Sequence, residues 1–137
     1  MKLQTLIIIG LSLCCIPSSW ADENLDMLTF DPPIGNDREF VFETERNLHL
    51  AISEFRILEA KFLSNKEGER WALITLLNVA NDSRTFQSEH LLAFFANGKY
   101  AHPREIRQRF RPGETLTLAL DFRVSKFPIV KAQTRER

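Results

Sequence analysis

The feature that most constrains how this chain can fold is a strict alternation of apolar and polar residues near its C-terminal end. Between residues 115 and 124 every second residue is apolar: Leu116, Leu118, Leu120, Phe122 and Val124. Side chains on a β-strand point alternately to its two faces, so this period of two predicts a strand with one face in a core. We expect that face to lie in one core with Leu73, Leu77 and Val79 of another strand.

Shorter segments of the same kind precede this run. Residues 39–42 alternate briefly, and residues 48–52 alternate until the phase changes at Ser53-Glu54. This change predicts a bulge or bend that carries the chain from one sheet towards another. Residues 71–80 are the most apolar run after the leader and predict a central strand covered on both sides, with Trp71 in the core; a buried helix is the alternative.

Turn residues separate these segments. Asn97-Gly98 lies between two apolar segments and predicts a two-residue hairpin turn, because both residues tolerate positive φ. Residues 64–69 and 111–114 also have turn composition, and residues 127–130 predict a short edge strand because Pro128 cannot donate to a ladder. About seven short strands at this spacing predict an all-β fold, an antiparallel β-sandwich.

The first residues have the composition of a cleaved leader. Lys2 precedes an apolar run over residues 6–16, and Ser19 and Ala21 provide the small residues of a cleavage site. We therefore expect a signal peptide over residues 1–21 and a periplasmic or secreted protein. The apolar run is shorter than the roughly 20 residues that span a bilayer, so no permanent membrane span is expected. Lipid attachment at Cys14 is the alternative, which the large residue Leu13 before it disfavours.

The remaining chain divides into an N-terminal arm over residues 22–37, a sandwich domain over residues 38–132 and a charged tail over residues 133–137. Cys14 and Cys15 leave with the leader, so no internal disulfide is expected. Loss of Lys2 leaves 17 basic residues against 18 acidic ones, a formal net charge of −1. This near-neutral balance argues against a nucleic-acid partner.

Four short segments resemble bacterial extracytoplasmic immunoglobulin-like domains of unknown function, the type found in secreted antigens and lipoproteins. They are residues 79–83, 94–100, 110–115 and 120–124. The resemblance covers roughly residues 48–129 and implies an immunoglobulin-like sandwich outside the cytoplasm. It carries no catalytic residue to this chain. This chain departs from many such domains in lacking the sequence context of a lipid-anchoring cysteine.

The sequence offers little for catalysis or metal binding. It lacks a nucleophile elbow, a zinc-protease helix motif and a phosphate loop, so we expect a protein that is not an enzyme and has no cofactor. His49, His90 and His102 are its three imidazoles, without the close spacing of a metal site. His90 and His102 flank the predicted hairpin, which leaves a small periplasmic metal carrier as an alternative to two solvent-facing histidines.

The best candidate for a binding surface follows the predicted hairpin. If residues 102–111 are extended, Arg107, Arg109 and Arg111 share one face, with Arg104 close by and Tyr100 exposed near the turn. Such a row can bind the carboxylate or phosphate groups of a partner protein or an anionic envelope component. Alternatively, the arginines keep an edge strand from pairing with another molecule. The predicted function is a non-enzymatic exported binding or interaction module of the cell envelope, whose partner the sequence does not identify.

Overall fold

The computed structural model describes residues 27–33, 40–43, 45, 48 and 50–136. The predicted signal peptide, Cys14, Cys15 and His49 lie outside these residues. The described chain has ten strands and a 3-10 turn at Ser88–His90. They are β1 (Thr29–Phe30), β2 (Ile52–Ser53), β3 (Phe55–Ser64), β4 (Glu69–Asn78), β5 (Arg84–Gln87), β6 (Leu91–Phe95), β7 (Tyr100–Ala101), β8 (Arg107–Phe110), β9 (Thr115–Val124) and β10 (Ile129–Glu136).

The strands form two sheets of four strands and one two-stranded ribbon. The first sheet has the order β1-β3-β4-β9, the second has the order β2-β10-β6-β7, and β5 pairs with β8. All pairs are antiparallel except β2 with β10, which are parallel. The predicted all-β antiparallel sandwich is therefore confirmed, and seven of its strands have four or more residues.

The main core lies on one face of β4 and β9. Ala72, Ile74 and Leu76 of β4 are fully buried and share this core with Leu120 and Phe122 of β9. The predicted apolar face of β9 is confirmed for Leu120 and Phe122, which are buried. It is also confirmed for Leu116 and Leu118, which are half-buried and pack against the core. It is wrong for Val124, which is 69% exposed.

The predicted β4 partners of that core are also wrong. Leu73 and Leu77 pair with Ala119 and Thr115, on the opposite face from the pair of Ile74 and Leu118. Val79 follows the end of β4 and is exposed. Apolar residues occupy both parities of β4, so its sequence does not reveal which parity faces the core. Trp71 shares the outer face and is half-buried, so its predicted place in the core is wrong as well.

The strand covered on both sides is β6, not β4. Leu91, Ala93 and Phe95 belong to the main core, while Leu92 and Phe94 form a second cluster with Leu50 on the outer side. Phe42 lies over Phe94 with ring centroids 5.4 Å apart and planes 4° apart. The strand predicted at residues 39–42 is wrong over its described residues 40–42. Of the described residues between 48 and 52, only Ile52 is in a strand.

The predicted bend at Ser53-Glu54 is confirmed. β2 ends at Ser53 in the second sheet, and β3 begins at Phe55 in the first, so the chain changes sheets at Glu54. Arg56 at the start of β3 donates from Nε and Nη2 to the Glu136 carboxylate at 2.9–3.3 Å. This contact links the first sheet to the last strand of the second.

The predicted C-terminal boundary of the domain is wrong. β10 continues to Glu136, so the domain does not end at residue 132 and residues 133–136 are not a free tail. β2 joins β10 only at Arg135 and Glu136, so among the described residues the start of this strand at Ile129 pairs with β6 alone, as predicted for an edge. Pro128 precedes the ladder, and its carbonyl oxygen accepts the Ala96 N–H at 2.9 Å.

The predicted hairpin between β6 and β7 closes at Phe95 and Lys99, with three loop residues, 96–98, rather than two. The Gly98 N–H donates to the Phe95 carbonyl at 2.9 Å, and the Phe95 N–H donates to the Lys99 carbonyl at 2.8 Å. Gly98 alone in this loop has a positive φ, of 79°. This geometry is typical of a type I turn followed by a left-handed glycine.

Candidate functional site

The candidate site is the outer face of the β5–β8 ribbon. Thr85 pairs with Arg109, and Gln87 pairs with Arg107. Phe86 and Phe110 point the other way and are fully buried in the main core. Because side chains alternate along both strands, the four polar residues share the outer face. We call these four residues, Thr85, Gln87, Arg107 and Arg109, the arginine face.

The arginines of this region differ from several other basic residues in having no acidic partner. Arg56 pairs with Glu136, Arg84 with Glu54 and Asp82, Lys131 with Glu45, and Lys61 with Glu59. Within the described part of the chain, no carboxylate oxygen lies within 4.0 Å of a side-chain nitrogen of Arg107, Arg109 or Arg111. An exposed guanidinium without a carboxylate partner keeps its planar donors available to an anion.

Charge is not uniform along the arginine face. A shallow depression of about 200 Å³ at the Arg107 end is lined by Gln87, Ser88, Glu89, Glu105, Ile106 and Arg107. Glu89 and Glu105 are both exposed, so this end is mixed in charge. Arg109 has Gln108 and Phe110 as chain neighbours and Thr85 across the ribbon. The two exposed carboxylates therefore lie at the Arg107 end of the face and not beside Arg109.

The other predicted binding residues are not part of the β5–β8 ribbon. The Arg104 guanidinium lies 2.6 Å from the Asp121 carboxylate, so it is already paired. Arg111 is exposed in the turn that follows β8, and its backbone N–H donates to Glu114 Oε2 at 2.7 Å. Tyr100 is 48% exposed but belongs to β7, in the second sheet, where its ring packs 6.0 Å from that of Phe94.

Thr85 and Gln87 are members of the arginine face that the sequence did not reveal. They alternate with Arg84 and Phe86, but a four-residue strand is too short for its alternation to stand out. Their place beside the arginines depends on the long-range pairing of β5 with β8, for which the sequence carries no local signal.

The rings of the two described histidines, His90 and His102, each form a hydrogen bond with a backbone group. His90 Nδ1 accepts the Gln87 N–H at 3.0 Å, and His102 Nδ1 donates to the Leu91 carbonyl at 2.8 Å. Burial lowers the pKa of His90 below its ordinary value, and the nearby Glu89 carboxylate partly offsets this shift. In the described residues, no three histidine, cysteine or acidic side chains are grouped as a metal site. The geometry of these residues does not favour the metal-carrier alternative.

A separate apolar cleft of about 540 Å³ lies where β1 and β3 approach the start of β10. Most of its lining is apolar, from Phe30, Pro32, Pro33, Phe62, Ile129 and Val130. The Asp31 carboxylate at its edge accepts the Ser64 hydroxyl at 2.6 and 2.7 Å. The volume of this cleft suits a small apolar group. Its charged lining residues are Asp31 and Lys61, so it lacks the row of arginines expected of a site for an anionic partner.

Comparisons were made with protein families, with curated proteins and with solved structures, and none of them matches this chain. The fold defines the class, an all-β antiparallel sandwich that exposes a row of arginines on a two-stranded ribbon. Across the described ranges, no helix is both long enough and apolar enough to cross a membrane.

Proposed function

We propose that this protein is a non-enzymatic binding module of the cell envelope, periplasmic or secreted, that binds an anionic partner protein or envelope component. The binding surface is the arginine face, with Arg111 at its end. Arg104 is paired with Asp121 and is not a free donor for this surface. Tyr100 is exposed on another sheet and has no part in this contact.

One observation carries the proposal. Arg107 and Arg109 project from one exposed face and have no carboxylate partner among the described residues, whereas Arg56, Arg84, Lys61 and Lys131 each have one. Residues two apart on a strand are about 7 Å apart, so the two guanidinium groups can engage successive charged groups of an extended polyanion.

Export is supported by the leader composition of residues 1–21 and by the resemblance to extracytoplasmic immunoglobulin-like domains. Both are features of the sequence, and N-terminal sequencing of the protein tests the first. Asp22 as the first residue supports cleavage after Ala21. An acylated Cys14 would make the protein a lipoprotein, and a retained Met1 in the cytoplasm would contradict export.

The alternative role of the arginines is to keep the edge of β8 from pairing with another chain. The distribution of charge argues against this as their main role. β8 has four residues, whereas β9 is an edge strand of ten residues and has no charged residue between Thr115 and Leu120. A chain that used arginines mainly to protect edges would place them on the longer edge.

Binding is tested with two defined polyanions, polyphosphate and polyglutamate, which separate phosphate from carboxylate recognition. The double variant Arg107→Gln/Arg109→Gln should bind the preferred probe at least about tenfold more weakly and with a shallower salt dependence, because fewer charges are screened. The free energy of unfolding should change by less than about 1 kcal/mol, because both side chains are exposed.

The matched control is Lys66→Gln/Lys126→Gln, which removes the same charge from two exposed residues on other turns. It should bind as the unmodified protein does. Equal weakening by both double variants would reduce the effect to net charge and contradict a site on the arginine face. Crosslinking of the protein in its own envelope fraction, with and without the arginine substitutions, then identifies the partner.

A further inference from the structure

β9 is the longest of the strands that end the two four-stranded sheets in the described part of the fold. β9 is the last strand of the first sheet, and among the described residues its only strand partner is β4. The other terminal strands of the two sheets, β1, β2 and β7, have two residues each, against ten in β9. Pro32 and Pro33 follow closely after β1 and stop its extension.

The backbone of β9 directs hydrogen-bonding groups away from the sheet at alternate residues. Near its start, the Glu114 carbonyl accepts the Asn78 N–H of β4 at 3.0 Å, so the even-numbered residues face β4. Near its end, the Asp121 carbonyl points outward and accepts the Arg104 N–H at 2.7 Å. Thr115, Thr117 and Ala119 therefore direct both N–H and C=O to the open edge. Their side chains are exposed on the outer face of the sheet.

This open stretch has none of the features that normally block edge pairing. Residues 115–120 include no charged residue and no proline. The pairing with β4 is regular from Trp71 to Leu77, and the irregularity lies beyond it, between Glu69 and Trp71. Arg123, with a φ of 65°, lies outside the regular stretch. An uncharged, regular edge of this length is suited to pairing with another strand.

We infer that β9 pairs antiparallel with β9 of a second copy of this chain, about a two-fold axis at Thr117. In this register Thr117 faces Thr117, and Thr115 faces Ala119 in both directions. Each of these three pairs exchanges two backbone hydrogen bonds, so all the outward-pointing groups from residue 115 to residue 119 are satisfied. The two first sheets then form one continuous sheet of eight strands.

A second copy fits this edge because β9 is complementary to itself about Thr117. Threonine opposite threonine is a favourable cross-strand pair, and alanine opposite threonine is free of steric conflict. The nearest carboxylates do not meet, since Glu114 falls opposite Leu120 and Asp121 falls opposite Gly113. Asp121 also ends the pairing, because Arg104 already occupies its carbonyl.

Sedimentation and hydrogen exchange of the purified protein, measured over a range of concentrations, test the inference. We expect a dimer whose formation protects the amides of Thr115, Thr117 and Ala119, all three together and only as concentration rises. The amides of Leu116 and Leu118 face β4 and should be protected at every concentration. A protein that stays monomeric up to about 1 mM overturns the inference.

Charge substitutions at the axis identify the surface. Thr117→Lys and Thr117→Asp each place like charges opposite each other, so each should raise the dimer dissociation constant by about tenfold or more. An equimolar mixture of the two variants should recover the dimer, because the charges are then opposite. Unfolded protein could not give this recovery, and Thr117 is exposed, so both variants are expected to fold.

Thr29→Lys is the matched control, since Thr29 is an exposed threonine on β1, at the other edge of the same sheet. It should leave the dimer unchanged. A dimer that survives both Thr117 substitutions is built on another surface and contradicts the inference. Failure of this dimer leaves the arginine face unaffected, because the polyanion measurement reports on β5 and β8 alone.

Discussion

At the scale of single residues, Asn78 shows how one buried polar side chain can hold several turns. Its Nδ2 donates to the Asp82 and Arg111 carbonyls, both at 2.9 Å, and its Oδ1 accepts the Ala80 N–H at 3.0 Å. The residue is fully buried, so each lost bond would leave a backbone group without a partner. In the sequence Asn78 is only a polar interruption of an apolar run, and the three groups it binds come together only in the folded chain.

His90 provides a prediction at the same scale. Its ring lies 5.9 Å from that of Phe55 and 6.0 Å from that of Phe86, and burial there lowers its pKa. As the pH falls below about 6.5, His90 therefore takes up a proton in the unfolded chain before it does so in the folded chain. The folded state loses stability over the pH interval between about 6.5 and the lowered pKa. We expect the stability advantage of the unmodified protein over His90→Gln to shrink as the pH falls from 7.5 to 5, measured by urea unfolding.

The Glu89 carboxylate supplies the control for this prediction. It raises the pKa of His90 and so partly offsets burial. Glu89→Gln should lower the His90 pKa further and enlarge the loss of stability on acidification. Parallel pH profiles for the unmodified protein and His90→Gln would contradict the assigned role of burial.

At the scale of elements, the success of sequence reasoning depended on whether one face of a strand was polar. β9 alternates, and its core face was predicted except for Val124 at its end. β4 is apolar on both faces, so its core parity could not be predicted. β10 has only one apolar residue, Ala132, between residues 131 and 136. Its place in the second sheet comes from pairing with β6 and, at its last two residues, with β2, which no local pattern encodes. The bend at Glu54 was predictable because the alternation changes phase there.

The two faces of β4 can be separated by paired truncations. Ile74 is fully buried in the main core, and its neighbour Leu73 is half-buried on the outer face. Ile74→Ala should lower the free energy of unfolding by about 2–5 kcal/mol through lost burial and a cavity. Leu73→Ala should cost about 1 kcal/mol, because solvent can fill the vacated space. Urea unfolding of both variants measures the difference, and equal costs would contradict the assignment of the core face.

At the scale of the whole molecule, the second sheet has a covering on the side away from the main core. Phe42, Leu48 and Leu50 pack there against Leu92 and Phe94 of β6. The sequence predicted strands at residues 39–42 and 48–52, and it missed that their apolar residues cover another strand. The candidate site was also predicted only in part, because the alternation within one strand can be read from the sequence and the pairing between strands cannot. The parity of β8 correctly placed Arg107 and Arg109 together, while the pairing with Thr85 and Gln87 required the folded chain.

This covering leads to a prediction about how β6 is kept from solvent. Phe42 stacks on Phe94 and also lies 3.5 Å from the position a Cβ would occupy on Gly98, so it covers both β6 and the hairpin loop. Phe42→Ala should lower the free energy of unfolding by about 2 kcal/mol, less than for a fully buried phenylalanine because its ring is half-exposed. It should also uncover the Phe94 ring and increase the binding of a hydrophobic dye to the folded protein.

The neighbouring Val41 is 75% exposed, so Val41→Ala should change stability by no more than about 0.5 kcal/mol and leave dye binding unchanged. If the two variants behave alike, residues 40–42 do not shield the second sheet, and β6 must be stable with one face open to water.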